Sequence, residues 1–195
     1  MPGKMKRRPD SYSKRAKKEG YRSRAAYKLM QLQKRFKILH KGQVIVDLCG
    51  APGGWSQIAS SEAGDAGKVI LVDLEPVFDL DNITCLRADI TSPSIVQQIQ
   101  ARLDAFKRVD VVLADCSPKV IGQWDTDHAR QIWLSQNALH IAVQLQAKIF
   151  ACKLFQGDLL QEFLVEVKQH YPRTNFHKPR ASRKQSAEIY LLARK

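Results

Sequence analysis

No apolar run in the 195-residue sequence approaches the roughly 18 residues of a membrane span, and its start, MPGKMKRRPD, has no hydrophobic signal-peptide core. Those absences argue against a membrane-spanning or secreted protein, and a cytoplasmic location is expected. Cysteine is scarce: Cys49, Cys85, Cys116 and Cys152 show no C-x-x-C spacing and no nearby paired histidines, so no metal is expected. All four fall inside or at the ends of apolar, strand-like runs, which predicts buried free thiols rather than a disulfide framework. Acidic residues are scarce at the two ends. Residues 1–28 carry +9 and residues 168–195 carry +7, whereas residues 29–167 carry −3.

A block of like charge is usually a solvated tail, but two basic ends around a mildly acidic body suit a polyanion, because Lys and Arg that neutralise phosphates release counterions. RNA or DNA is the expected partner. A membrane surface is the weaker reading, since KMKRRPDSYSKRAKKEG has no strong apolar face. With 44% hydrophobic residues the chain can bury one sizeable core. A basic, partly disordered N-terminal extension over 1–20 and a single domain over 21–195 are expected, and the molecule is expected to be a monomer.

Short apolar runs alternate with helix-period segments. QVIVDL (43–48), KVILVDL (68–74), ITCLRAD (83–89), VDVVLAD (109–115) and AKIFACKLF (147–155) read as strands. Residues 54–63, 92–105, 127–146 and 157–170 read as helices, with Ser92-Pro93 as N-cap and first helical position. RTNFHK and AEIYLLARK close the chain as a hairpin. Nearly continuous apolar strands joined by helical crossovers predict an α/β fold with a mostly parallel sheet covered on both faces.

In such a sheet the ligand lies beyond the carboxyl ends of the strands. The first strand there runs into VDLCGAPGGW, where Gly50, Gly53 and Gly54 allow a tight turn and close approach of backbone N–H groups. Asp73 ends the second strand, where a carboxylate can accept hydrogen bonds from ribose hydroxyls, with Glu75 as the nearby substitute. Pro52 removes an N–H that a pyrophosphate would use, which disfavours a nicotinamide dinucleotide and favours S-adenosylmethionine. Asp47, Asp73, Asp89 and Asp115 stand at the ends of four successive strands, a pattern that suits the polar groups of that cofactor.

Lys153 is set in IFACKLF, where a charge is expensive unless paired. Desolvation lowers a lysine's pKa and fits it for general-base work, while an acidic neighbour raises it. Glu188 and Asp115 are acids set similarly against apolar strands. Lys28 reads, from local pattern alone, as a solvated helix position shared with Arg24 at i,i+4.

The ordered set YRSRAAYKL, DLCGAPGGWSQ, VDLEP, ADI, LADCSP, KLFQG and SAEIYLLA closely resembles the FtsJ/RlmE ribosomal RNA 2′-O-methyltransferases over roughly residues 20–195. The resemblance implies a seven-stranded Rossmann-like class I fold and a Lys-Asp-Lys-Glu tetrad at Lys28, Asp115, Lys153 and Glu188. It also implies S-adenosylmethionine contacts at Gly53, Trp55, Asp73, Asp89 and Asp115, and a uridine of large-subunit (23S) rRNA as substrate. Cys49, where many relatives have a small residue, and the loop of ADCSPKVIGQWDTDH depart from the pattern. The absence of a second proline and an aromatic after Asp115-Cys116-Ser117-Pro118 disfavours an amine acceptor.

Residues 4–18, Arg22, Arg24 and the stretch 178–184 are the candidate RNA contacts. Tyr12, Tyr21 and Trp124 are candidate base-stacking rings, against the commoner role of core packing or turn anchoring. Alternative readings are a methyltransferase of the tRNA anticodon loop and a non-catalytic RNA-binding ribosome-assembly factor.

Overall fold

The computed structural model describes residues 11–78, 80–103, 105–106, 108–183 and 185–195. Seven strands form one sheet: β1 (Val44–Leu48), β2 (Lys68–Asp73), β3 (Ile83–Arg87), β4 (Val111–Ala114), β5 (Ile149–Phe155), β6 (Arg173–His177) and β7 (Glu188–Arg194). Their order is β3-β2-β1-β4-β5-β7-β6, with β7 antiparallel to both neighbours and all other pairs parallel. The helices are α1 (Ser11–Lys18), α2 (Ala26–Phe36), α3 (Gly54–Ala63), α4 (Ile95–Gln100), α5 (Trp124–Gln144) and α6 (Leu160–His170).

Alternation along β5 divides the core. Phe150, Cys152 and Leu154 face the layer that holds α4, α5 and α6, whereas Ile149 and Ala151 face α2 and α3. β1 and β4 are buried at every position, as a sheet covered on both sides requires. The expected strands and terminal hairpin are all present.

Three expectations change. The helix expected from Ser92 begins at Ile95, because Ser92 Oγ turns to Ser94 and the backbone N–H of Ile95 still bonds Ser92 O in a turn. The second half of the 1–20 extension is helical: Ala16 of α1 is buried against Tyr27 and Ala181. Residues 1–10 lie outside the described residues. Cys49 and Cys116 form a disulfide rather than two free thiols, and Cys85 is exposed on β3; only Cys152 is the expected buried thiol. The pairing follows from register. Leu48 and Ala114 are neighbours in the sheet, so Cys49, one residue past the first, and Cys116, two past the second, come within reach, with Cα atoms 5.0 Å apart.

Candidate active site

Two ion pairs stand at the carboxyl end of the sheet. Lys153 Nζ on β5 lies 3.3 Å from Asp115 Oδ1 and donates to the backbone oxygen of Asp115 at 2.9 Å. Lys28 Nζ on α2 lies 2.8 Å from both carboxylate oxygens of Glu188, the first residue of β7. Side-chain exposure is 5% and 16% for Lys153 and Asp115, and 11% and 12% for Lys28 and Glu188. Ions so far out of water are costly singly, so each pair neutralises its own desolvation.

Tyr190 joins the pairs. It sits opposite Lys153 in the β5–β7 register, its hydroxyl donates to Asp115 Oδ1 at 2.7 Å, and Lys28 Nζ lies 5.6 Å from its ring centroid. Burial and the two neighbouring carboxylates push the Tyr190 hydroxyl well above its ordinary pKa, which keeps it a donor. Ser182 Oγ donates to Glu188 Oε1 at 2.6 Å. Gln131, fully buried on α5, donates to the carbonyls of Cys116 and Lys153 and so ties together the strand ends that carry Asp115 and Lys153. These three residues escaped the reading of the sequence. For Tyr190 the available signal was its place two residues after Glu188, on the same strand face.

Beside the tetrad lies a cavity of about 470 Å³ whose walls include Cys49, Ala51, Asp73, Asp89, Asp115 and Leu134. Asp73 Oδ2 accepts from the Ala51 N–H and Oδ1 from the Glu75 N–H, both at 2.9 Å, which fixes the carboxylate at the end of β2. Asp89 makes an Asx turn, Oδ1 accepting from the N–H and hydroxyl of Thr91 at 2.8 Å. Behind the turn, Asp47 is fully buried and accepts from Ser56 Oγ at 2.6 Å. Its Oδ1 has no hydrogen-bond partner among the described residues. Burial, and secondarily the charges of Asp115 and Asp73, raise its pKa to about 7. The glycines are required here: a Cβ on Gly50 would lie 2.7 Å from Leu71 Cγ and 2.9 Å from Asp47 Oδ2, and Gly53 has φ +109°.

Asp73, Asp89 and Asp115 are thus brought together on one cavity. Gly53 opens α3 behind it. The Trp55 side chain is not part of that wall: it is 2% exposed, donates from Nε1 to Ala25 O at 2.9 Å, and packs against Tyr190 with ring centroids 5.6 Å apart. At the start of α3 this large apolar ring is covered by the α2–α3 core.

A family model, FtsJ-like methyltransferase, matches residues 21–195. The chain belongs to that family. The ribosomal RNA large subunit methyltransferase E of Archaeoglobus fulgidus is 42% identical over 193 residues, covering 98% of both chains. The protein of the same name from Methanothrix thermoacetophila is 45% identical over 188 residues, 95% of this chain and 72% of its own. A solved Plasmodium falciparum structure described as a putative ribosomal RNA methyltransferase superposes with TM-score 0.78 at 24% identity, covering 89% of this chain and 97% of that one. That likeness shows the Rossmann-like fold alone. As an FtsJ-like methyltransferase the protein is an enzyme that uses a methyl donor, and the cavity offers fitting features: carboxylates fixed at its rim, a glycine turn at its edge with no room for a Cβ at Gly50, and an unsatisfied buried oxygen behind it.

The basic ends converge on the same side of the molecule. Helix α1 meets the 178–183 stretch through Ala16 and Ala181, and Arg24 donates to the backbone oxygen of Ala181. Arg180 and Arg183 are exposed there, Arg22 is exposed beside Gln57 and Cys85, and Lys184 lies outside the described residues. Tyr12 and Tyr21 both pack on Tyr27, at 5.4 and 5.7 Å between centroids, so their rings serve the α1–α2 contact; Trp124 is half exposed.

Proposed function

We propose that the enzyme transfers the methyl group of S-adenosylmethionine to a ribose 2′-OH of RNA, with a uridine of large-subunit ribosomal RNA as the substrate. The observation that carries this reading is the pairing of two nearly buried lysines with two carboxylates beside the Asp-lined cavity. Relatives that span nearly the whole chain bear the name of a large-subunit rRNA methyltransferase. Asp73, Asp89 and Asp115, with the backbone at Gly53 and Trp55, would hold the donor, which supplies an electrophilic sulfonium methyl.

A ribose hydroxyl is too weak an acid to attack unaided. Lys153 would accept the 2′-OH proton during methyl transfer, in which the new O–C bond forms as the C–S bond of the donor breaks and the sulfur leaves as a neutral thioether. Lys28, held at both Glu188 oxygens, orients that oxygen and offsets its developing negative charge. Asp115, itself held by the Tyr190 hydroxyl, would fix the position of the Lys153 amine so that hydroxyl and methyl meet in line. The converging basic ends, including residues 178–183, would bind the RNA backbone.

The test is label transfer from tritiated S-adenosylmethionine to unmodified large ribosomal subunits, to naked large-subunit rRNA and to bulk tRNA. Label at a ribose 2′-O of ribosomal RNA is the expected result. Label confined to tRNA would move the enzyme to the anticodon-loop class, and cofactor binding with no transfer to any RNA would leave an assembly factor.

A further inference from the structure

The segment between Asp115 and α5 ends in an aromatic structure that the tetrad does not use. Asp127, 3% exposed, accepts from the N–H groups of Ile121 and Gly122, each at 2.9 Å, and Gly122 has φ +89°. The turn leading into Trp124 is therefore held from beneath. The Trp124 indole lies parallel to His128 (9° between planes, centroids 5.8 Å) and 6.2 Å from the Phe155 ring. His128 is itself buried, its Nε2 accepting from the Leu159 N–H. Close packing at Gly157 makes room for it, since a Cβ there would lie 2.6 Å from His128 Nε2. With so much support the indole is still 49% exposed, next to the exposed Val120 and Ile121. A ring that only anchored the turn would be covered.

Position gives it a use. Phe155, on which Trp124 packs, lies opposite Glu188 in the sheet and two residues beyond Lys153 on β5, about 7 Å along the strand. That separation is on the scale of a nucleoside, ribose to base. The basic stretch 178–183, a few residues before Glu188 in the chain, offers cations for a phosphate backbone at this rim and so favours a base over an apolar side chain. We propose that Trp124 is the stacking platform for the unpaired base of the acceptor nucleotide, with Phe155 and His128 as its backing. This rests on the RNA 2′-O-methylation reading above.

The test compares wild type with Trp124→Ala, Trp124→Leu and Trp124→Phe in two assays: binding of a single-stranded uridine dodecamer across a salt series, and methyl transfer to unmodified large-subunit rRNA. Loss of the ring in Ala and Leu should weaken dodecamer binding and raise KM roughly 10- to 100-fold, with kcat less affected. Phe should stay within a few-fold of wild type. The slope of log affinity against log salt and the affinity for S-adenosylmethionine should not change, since an indole neutralises no phosphate. Binding by Leu within twofold of wild type, or a Phe variant as weak as Leu, would overturn the platform; Leu and Phe decide the matter even if Ala fails to fold. A wild type that transfers no methyl yet binds the dodecamer through Trp124 would sink the enzymatic reading and leave the platform standing. A wild type that binds no RNA would remove both.

Discussion

The two halves of the sheet end at the same rim but handle charge differently. On the β1–β4 side, Asp73 and Asp89 are held by backbone N–H groups and side chains within their own turns or the adjacent one, and no lysine lies among the residues of that cavity wall. On the β5–β7 side each carboxylate meets a lysine distant in sequence: Glu188 pairs with Lys28 and Asp115 with Lys153. Fixed acids without cations suit the hydroxyl and amino groups of a small cofactor. Cations held but not exposed suit an oxygen that must lose a proton and gain charge. Asp115, common to the cavity and the tetrad, joins the two halves.

The sharpest way to break the comparison is at Lys153. Lys153→Met should lower single-turnover methyl transfer by about 10²- to 10⁴-fold while S-adenosylmethionine binding, measured by calorimetry, stays within a few-fold. Equal losses of both would mean that the two halves are not separable. A second cut lies between β1 and β4. Replacing Cys49 and Cys116 together by Ser opens a link across 67 residues, worth about 4 kcal/mol by the loop-entropy estimate, and should lower Tm by roughly 10 °C. Reductant should reproduce that loss in the wild type and not in the variant.

The buried Asp47 sharpens the comparison from the cofactor side. Its folded pKa of about 7 lies above the ordinary 3.8, so the folded state binds the extra proton. The associated stability is fully present below about pH 4 and is lost as pH rises through 7, by up to about 4 kcal/mol. Asp47→Asn should remove that part of the slope in denaturation measured from pH 4 to 8; an unchanged slope would mean that other groups carry it. The smallest effect is expected at the surface. Arg180→Ala with Arg183→Ala should flatten the salt dependence of RNA binding by about 0.7–0.9 for each phosphate the two arginines neutralise, without changing cofactor affinity.

The alternation of apolar strands with helical segments, the glycine turn and the strand-end acids are local patterns, and so the layered α/β fold and the gathering of acids at one rim of the sheet were legible directly. Lys153, Asp115 and Glu188 stood out as charges set against apolar strands, but Lys28 joined them only through resemblance, since alone it reads as a solvated helix position. What neither pattern nor resemblance disclosed depends on which strands become neighbours. Placing β4 beside β1 joins Cys49 to Cys116, and inserting β7 beside β5 sets Tyr190 opposite Lys153. The packing of α1 on Ala181 shows which part of the expected, partly disordered 1–20 extension joins the fold. The ring of Trp55, expected by resemblance among the cofactor contacts, is buried in the α2–α3 core.

The sequence by itself determined the periodicities, the tight turn and the placement of charge at the two ends, because these depend on residues adjacent in the chain. The tertiary structure alone decided which lysine meets which carboxylate, which cysteines join and which aromatic ring stays open. Those outcomes depend on contacts between residues as much as 160 positions apart, as for Lys28 and Glu188, and buried charges settle only where the fold supplies their partners.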